Sequence, residues 1–125
     1  INKRLLRENQ RLYIYKNLPD IHPLLYSAEM VITSYGHLAY ETIAYEKPLC
    51  LLNQKLFQDE YARKLDEKFL CVSAGLLNNL SIEDIIKNIK ITIQKSEKII
   101  ENSKGCIDGN GLQRISEIIY NLVVK

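Results

Sequence analysis

Ser34-Tyr35-Gly36-His37 is the stretch of this 125-residue chain whose residue types and order first suggest chemistry. Gly36 lets the backbone approach a ligand closely, and a helix starting behind it would offer unpaired N–H groups and its positive dipole end to an anion. Ser34 and His37 add side-chain donors. Glu41 follows His37 by four residues, one turn into such a helix and on the same face. A carboxylate there repels phosphate but accepts hydrogen bonds from adjacent hydroxyls, such as the two of a ribose. Phosphate at the helix tip and ribose one turn further along make a coherent nucleotide pose. The same residues also have a plainer account. A glycine suits any strand-to-helix turn, Glu41 suits a solvated helix face, and a single histidine is more often structural than catalytic. Tyr35, Tyr40 and Tyr45 lie near the loop, and each could stack on a base or simply pack.

The elements that must position these residues follow from periodicity. Asn2 to Asn9 reads as a short helix, and the aromatic and aliphatic run Leu12 to Lys16 as a strand. Pro19 and Asp20 break it, and Ile21 to Ala28 is a short helix. Met30 to Ser34 is a short buried strand, and His37 to Glu46 a helix. After Pro48, Leu49 to Leu52 is a continuous apolar run of the kind found in parallel strands covered on both faces. Leu56 to Lys68 is an amphipathic helix with Phe57, Tyr61 and Leu65 on its apolar stripe. Phe69 to Val72 is a last strand. Ser81 and Asp84 form a capping-box start, followed by a stripe of Ile85, Ile86, Ile89 and Ile93. The turn Asp108-Gly109-Asn110-Gly111 leads to a final helix carrying Leu112, Ile115, Ile119 and Leu122.

Strands alternating with helices predict crossover connections, hence an α/β fold with a Rossmann-like parallel sheet flanked by helices, as one domain over residues 1–125. In such sheets ligands bind outside the carboxyl ends of the strands. That rule selects the Ser34–His37 loop and a second loop, Asn53 to Gln58.

The totals exclude several classes. Seventeen basic residues against fifteen acidic leave a net charge of +2, scattered along the chain, so neither nucleic acid nor anionic lipid is an expected partner. Cys50, Cys71 and Cys106 form no C-x-x-C pair, and their odd number argues against a disulfide framework. With only His22 and His37 beside them, no zinc pattern arises, and no metal or other cofactor is expected. No apolar run approaches the ~20 residues of a membrane span. INKRLLREN lacks the apolar stretch of a signal peptide, so a cytoplasmic location is expected.

Met30 to Leu52 (MVITSYGHLAYETIAYEKPLCLL) resembles the signature region of the glycosyltransferase-B C-terminal domain. It is most similar to the pseudaminic-acid-pathway nucleotide-sugar hydrolases and the spore-coat polysaccharide biosynthesis proteins. In those families a strand ends in a Gly-containing loop, and an aromatic-Glu pair follows, here Tyr40-Glu41 after Gly36. A Pro, an apolar strand and a Gln ten residues beyond the Pro come next, here Pro48 and Gln58. An Asp-Gly-x-Gly turn and an Arg-bearing helix close the pattern, here Asp108 to Gly111 and Arg114. The likeness runs from about Leu12 to the end. It implies that Glu41 binds the ribose, that the Gly36 loop faces the diphosphate, and that Gln58 contacts the sugar or the nucleotide. Two departures stand out. His37 and Leu38 occupy positions where the family carries Ser and Thr, and the family's first strand with its Gly-rich phosphate loop has no counterpart here.

The resemblance therefore implies the donor-binding half of a nucleotide-sugar hydrolase or glycosyltransferase of cell-surface polysaccharide or sialic-acid-like sugar synthesis. Its partners would be a nucleotide-diphosphate sugar and an N-terminal domain, absent here, that carries the catalytic base. The chain alone is expected to be inactive. Self-association over the unpaired edge of the sheet is a further expectation. Two alternatives stand beside this: the C-terminal domain of a lipid-linked N-acetylglucosaminyltransferase, and a non-catalytic α/β subunit completing a site only with a partner. An open pocket around Gly36 and Gln58, against a filled surface, discriminates a ligand site from an interaction module.

Overall fold

A computed structural model of the chain describes residues 11–124. The helix expected at Asn2 to Asn9 lies outside the described residues. The elements are α1 (His22–Ser27), β1 (Val31–Thr33), α2 (His37–Ala44), β2 (Leu49–Asn53), α3 (Leu56–Glu67), β3 (Val72–Leu76), α4 (Ile82–Gln94), α5 (Ser96–Ser103) and α6 (Gly111–Val123), with a 3-10 turn at Leu77–Asn79. The three strands form a parallel sheet in the order β1-β2-β3. The α/β parallel architecture is thus as expected, with three strands among the described residues instead of four.

The central strand explains the layering. Successive side chains of a strand point to opposite faces. Leu49 and Leu51 join Ala39 and Ile43 of α2 and Ala62 and Leu65 of α3 in one buried cluster. Cys50, between them and fully buried, meets Thr92 of α4 instead. Both faces of β2 are therefore covered, as its unbroken apolar run requires.

Three expectations about elements are corrected. Leu12 to Lys16 is not a strand: it carries no regular structure, and its residues are exposed. Strand propensity reports fit to a pleated, half-buried surface, and no described strand pairs with this segment. The last strand is β3, not Phe69 to Val72. Residues 69 and 70 instead close α3: Phe69 takes φ 56°, its N–H donates to Asp66 O (2.8 Å), and the Leu70 N–H donates to Leu65 O (3.0 Å). That is the paired hydrogen-bond pattern of a Schellman ending, with Leu65 and Leu70 both in the core. α2 ends the same way on Glu46, at φ 55°, with Glu46 N–H to Ile43 O (2.9 Å) and Lys47 N–H to Thr42 O (3.2 Å).

Third, the buried side of α3 is Asp59, Ala62 and Leu65. Phe57 and Tyr61, read as core, are half exposed. The small Ala62, with no exposed surface, joins the core cluster instead, and Tyr61 stacks on Tyr35.

The helix expected after Ser81 begins as predicted. Ser81 Oγ accepts from the Asp84 N–H (3.1 Å), and Asp84 Oδ2 accepts from the Ser81 N–H (2.9 Å). It breaks at Lys95 into α4 and α5. α6 forms, yet it contributes no buried residue, and its stripe of Leu112, Ile115, Ile119 and Leu122 faces outward. Among the described residues, no helix is long and apolar enough to cross a membrane.

Candidate functional site

The parallel sheet brings both candidate loops to its carboxyl edge, where β1 runs into Ser34 to Gly36 and β2 into Gln54 and Lys55. Side chains from the β2 strand end and α3 lock the two loops together. Asn53, with no exposed surface, accepts the Tyr35 N–H on its Oδ1 (3.0 Å). Its Nδ2 reaches Asp59 Oδ1 (3.5 Å), and Asp59, also buried, is paired with Arg63. Gln58 donates from Nε2 to Tyr35 O (3.1 Å) and accepts the Gln54 and Lys55 N–H groups on Oε1 (3.1 Å each).

Gln58 is therefore where the reading of the loops expected it, but its amide is largely spent on the backbone. Both lone pairs of its oxygen and one of its two N–H donors are used. This side chain bridges the two loops and fills space between them. Surface hollows of 520 Å³ along α4 and 370 Å³ beside Pro48 and Ile93 lie elsewhere and include no residue of the Gly36 loop.

Neither helix tip carries a side-chain cap on its own first N–H groups. At α3, Gln58 Oε1 accepts from Gln54 and Lys55, the two residues that precede the helix. At α2, no side chain caps the helix. Ala39 N–H bonds Gly36 O (3.1 Å), while the His37 and Leu38 N–H groups find no acceptor among the described residues. Gly36 itself is extended, and a Cβ added there would meet nothing within 4 Å. Neither backbone angle nor internal packing demands a glycine at this position.

Around that tip the expected residues are distributed as follows. Ser34 and Tyr35 are half-buried, and His37 is exposed at the first turn of α2. Glu41 is half-buried one turn on and makes no ion pair among the described residues. Thr42 behind it is buried and donates from Oγ1 to Leu38 O (2.7 Å).

Tyr35 is the centre of an aromatic cluster. Its ring stacks on Tyr61 (centroids 5.3 Å apart, planes at 15°) and meets Tyr40 edge-on (5.7 Å, 73°). The Tyr35 and Tyr40 hydroxyls are 2.7 Å apart. That hydrogen bond, with burial second, pushes the Tyr35 phenol up to about 12. Tyr45 lies apart from this cluster, against His22.

No protein-family model, curated protein or solved structure matches the chain. The site therefore rests on its own geometry. Arg114 of the closing motif is engaged locally, donating to both oxygens of Asp108 (2.7 and 3.0 Å). This pairing holds the Asp108 carboxyl down at about 2. No cluster of three metal-ligating side chains occurs among the described residues. Asp59 and Tyr61 are residues of this cluster that sequence reasoning missed. Asn53 opens the second loop selected from the sequence, but its bracing of Tyr35 was not foreseen.

Proposed function

We propose that the chain binds the diphosphate and ribose of a nucleotide sugar at the Gly36 loop, as the donor-binding half of a glycosyltransferase-B-type hydrolase or transferase. The observation that carries this reading is the tip of α2 at the sheet's carboxyl edge, where no side chain caps the first N–H groups and Gly36 stands in front of them. Unpaired N–H groups at a helix N-terminus favour an anion, and Gly36 leaves the approach clear. Glu41 stands one turn on, unpaired, at the place a ribose diol would occupy.

Charge grows on the departing diphosphate as the sugar's C–O bond breaks, and preorganised N–H donors at the helix tip stabilise it. The catalytic base belongs, on this reading, to a second domain forming the other wall of a cleft. With Gln58 bridging the loops, the surface here supports a site shared with a second domain, or the non-catalytic subunit reading, over a self-contained pocket.

Titration with uridine and cytidine diphosphates, followed by amide shifts, tests the proposal. Shifts should cluster at Ser34 to Glu41. Gly36→Ala should leave folding intact, because the added Cβ meets nothing, yet lower nucleotide affinity by crowding the approach. Glu41→Ala should weaken binding by ~1–3 kcal/mol. Unchanged affinity in both variants would end the assignment.

A further inference from the structure

We propose that two copies of this chain associate by exchanging α6, each α6 lying along α4 of the other copy, with no nucleotide required. Two apolar stripes of one chain are left open to solvent. The first is that of α6, where Leu112, Ile115, Ile119 and Leu122 are each 55–79% exposed. The second lies on α4. Ile82, Ile86, Ile89 and Ile93 recur at i, i+4, i+7 and i+11, so they line one side of that helix. Ile82, Ile86 and Ile93 are exposed, whereas the fully buried Thr92 stands about a quarter-turn away.

The two stripes match in length, ~15–17 Å each at the rise of a helix. A hollow flanks the α4 stripe on either side. One of 520 Å³ is lined by Ile86 with Lys87 and Lys90, and one of 370 Å³ by Ile93 with Met30 and Pro48. Such grooves receive the side-chain ridges of a packed helix. Charge permits the contact as well. Arg114 and Glu117, the charged residues of α6, lie round the helix from its stripe, so pairing buries neither.

The helix is supplied by the second copy because α6 leaves its own domain on a braced turn. Asp108 accepts the Asn110 N–H (2.9 Å) and both Arg114 N–H groups (2.7 and 3.0 Å), and α6 then buries no residue on the domain it came from. Area favours exchange over side-by-side pairing. A leucine or isoleucine passing from exposed to buried removes about 60–100 Å² of apolar surface. Two α6 helices paired with each other would remove ~500–800 Å² in total, short of the ~1,200–2,000 Å² of a stable interface. Exchange covers all four stripes, removes ~1,000–1,600 Å² and closes with two-fold symmetry. It also gives α6 the tertiary support that a helix of thirteen residues needs in water.

Sedimentation equilibrium of the whole chain, from micromolar to millimolar, tests the exchange. The mass should rise from one chain to two and no further. Ile119→Glu in α6 and Ile86→Glu in α4 should each raise the dissociation constant by about 100-fold or more, since every dimer would bury the new charge twice. Both side chains are exposed in the separate chain, so an unchanged urea midpoint at low concentration shows that each variant is folded. A native chain that stays monomeric throughout would overturn the proposal, whether α6 is bare or slowed in exchange by lying on its own α4. Loss of the dimer in Ile119→Glu alone would mean that α6 pairs with α6, and exchange would be wrong. A dimer indifferent to both substitutions would be held elsewhere, as at the sheet edge, and would overturn it equally.

Discussion

Replacing Asn53 by alanine should release the Gly36 loop. The side chain is fully buried, accepts the Tyr35 N–H at 3.0 Å and reaches the buried Asp59 at 3.5 Å. Losing the first contact leaves a part-buried backbone donor unsatisfied, at a cost of about 1–3 kcal/mol. The second is at the long limit of a hydrogen bond and adds less, although Asp59 keeps only Arg63 as a partner. Together these give a destabilisation of about 2–4 kcal/mol, a large fraction of the ~5–15 kcal/mol available to an ordinary domain. Urea denaturation followed by circular dichroism reads it directly. The midpoint should fall while the slope against denaturant stays unchanged. Gln58→Ala provides the scale. Two of its three hydrogen bonds are exposed and can be replaced by water, so its loss should be about 1 kcal/mol. An Asn53→Ala variant within ~0.5 kcal/mol of the native chain would refute the brace.

Two further outcomes follow from the titrating groups. In an ultraviolet titration Tyr35 should ionise near 12, after an ordinary tyrosine at 10.0, and Tyr40→Phe should bring it down by removing the main cause. The folded state thus holds this proton more tightly than the unfolded chain. Its contribution to stability is complete below pH 10 and is lost as the pH rises toward 12. Of the three thiols, Cys106 is exposed while Cys50 and Cys71 are buried. Burial pushes both buried thiols up, Cys71 to about 12. An aromatic disulfide reagent should therefore modify one thiol quickly in the native chain and all three after denaturation. Rapid reaction of a second thiol in the native protein would contradict the packing of β2.

What the sequence made legible depends on where its information lies. The run Leu49 to Asn53 announces a doubly covered strand because all of it except the half-buried Leu52 is buried. Ser81 and Asp84 announce a helix start because the signal consists of the two residues that make the bonds. The ends of α2 and α3 fall within two residues of the expected Glu46 and Lys68, but their left-handed closures were illegible, because Glu46 and Phe69 occupy positions where glycine is the usual marker, at roughly 1 kcal/mol or more each. The register of β3 hides in a similar detail. Ser73 and Gly75 pair with the consecutive Leu51 and Leu52, so Ala74 bulges out and Gly75 takes φ 104°. At the site, the positions of Gly36, Glu41 and Gln58 followed from the rule about strand ends. The roles of Asn53 and Asp59 did not, because a buried polar chain identifies itself only once its partners are in place.

α6 gives the fold a gauge of its own surroundings. It holds thirteen residues and buries none of them. Helices of that length are marginal in water without tertiary support. Hydrogen exchange along the chain should then divide sharply. Amides of β2, bonded on both sides within the sheet, should open only with the whole domain, while those of α6 in the separate chain should exchange within a small factor of unprotected peptide. Any slowing in α6 measures the fraction of time that something lies across its leucine and isoleucine stripe. The same reading can be taken with and without nucleotide, at any concentration, and beside any candidate second domain.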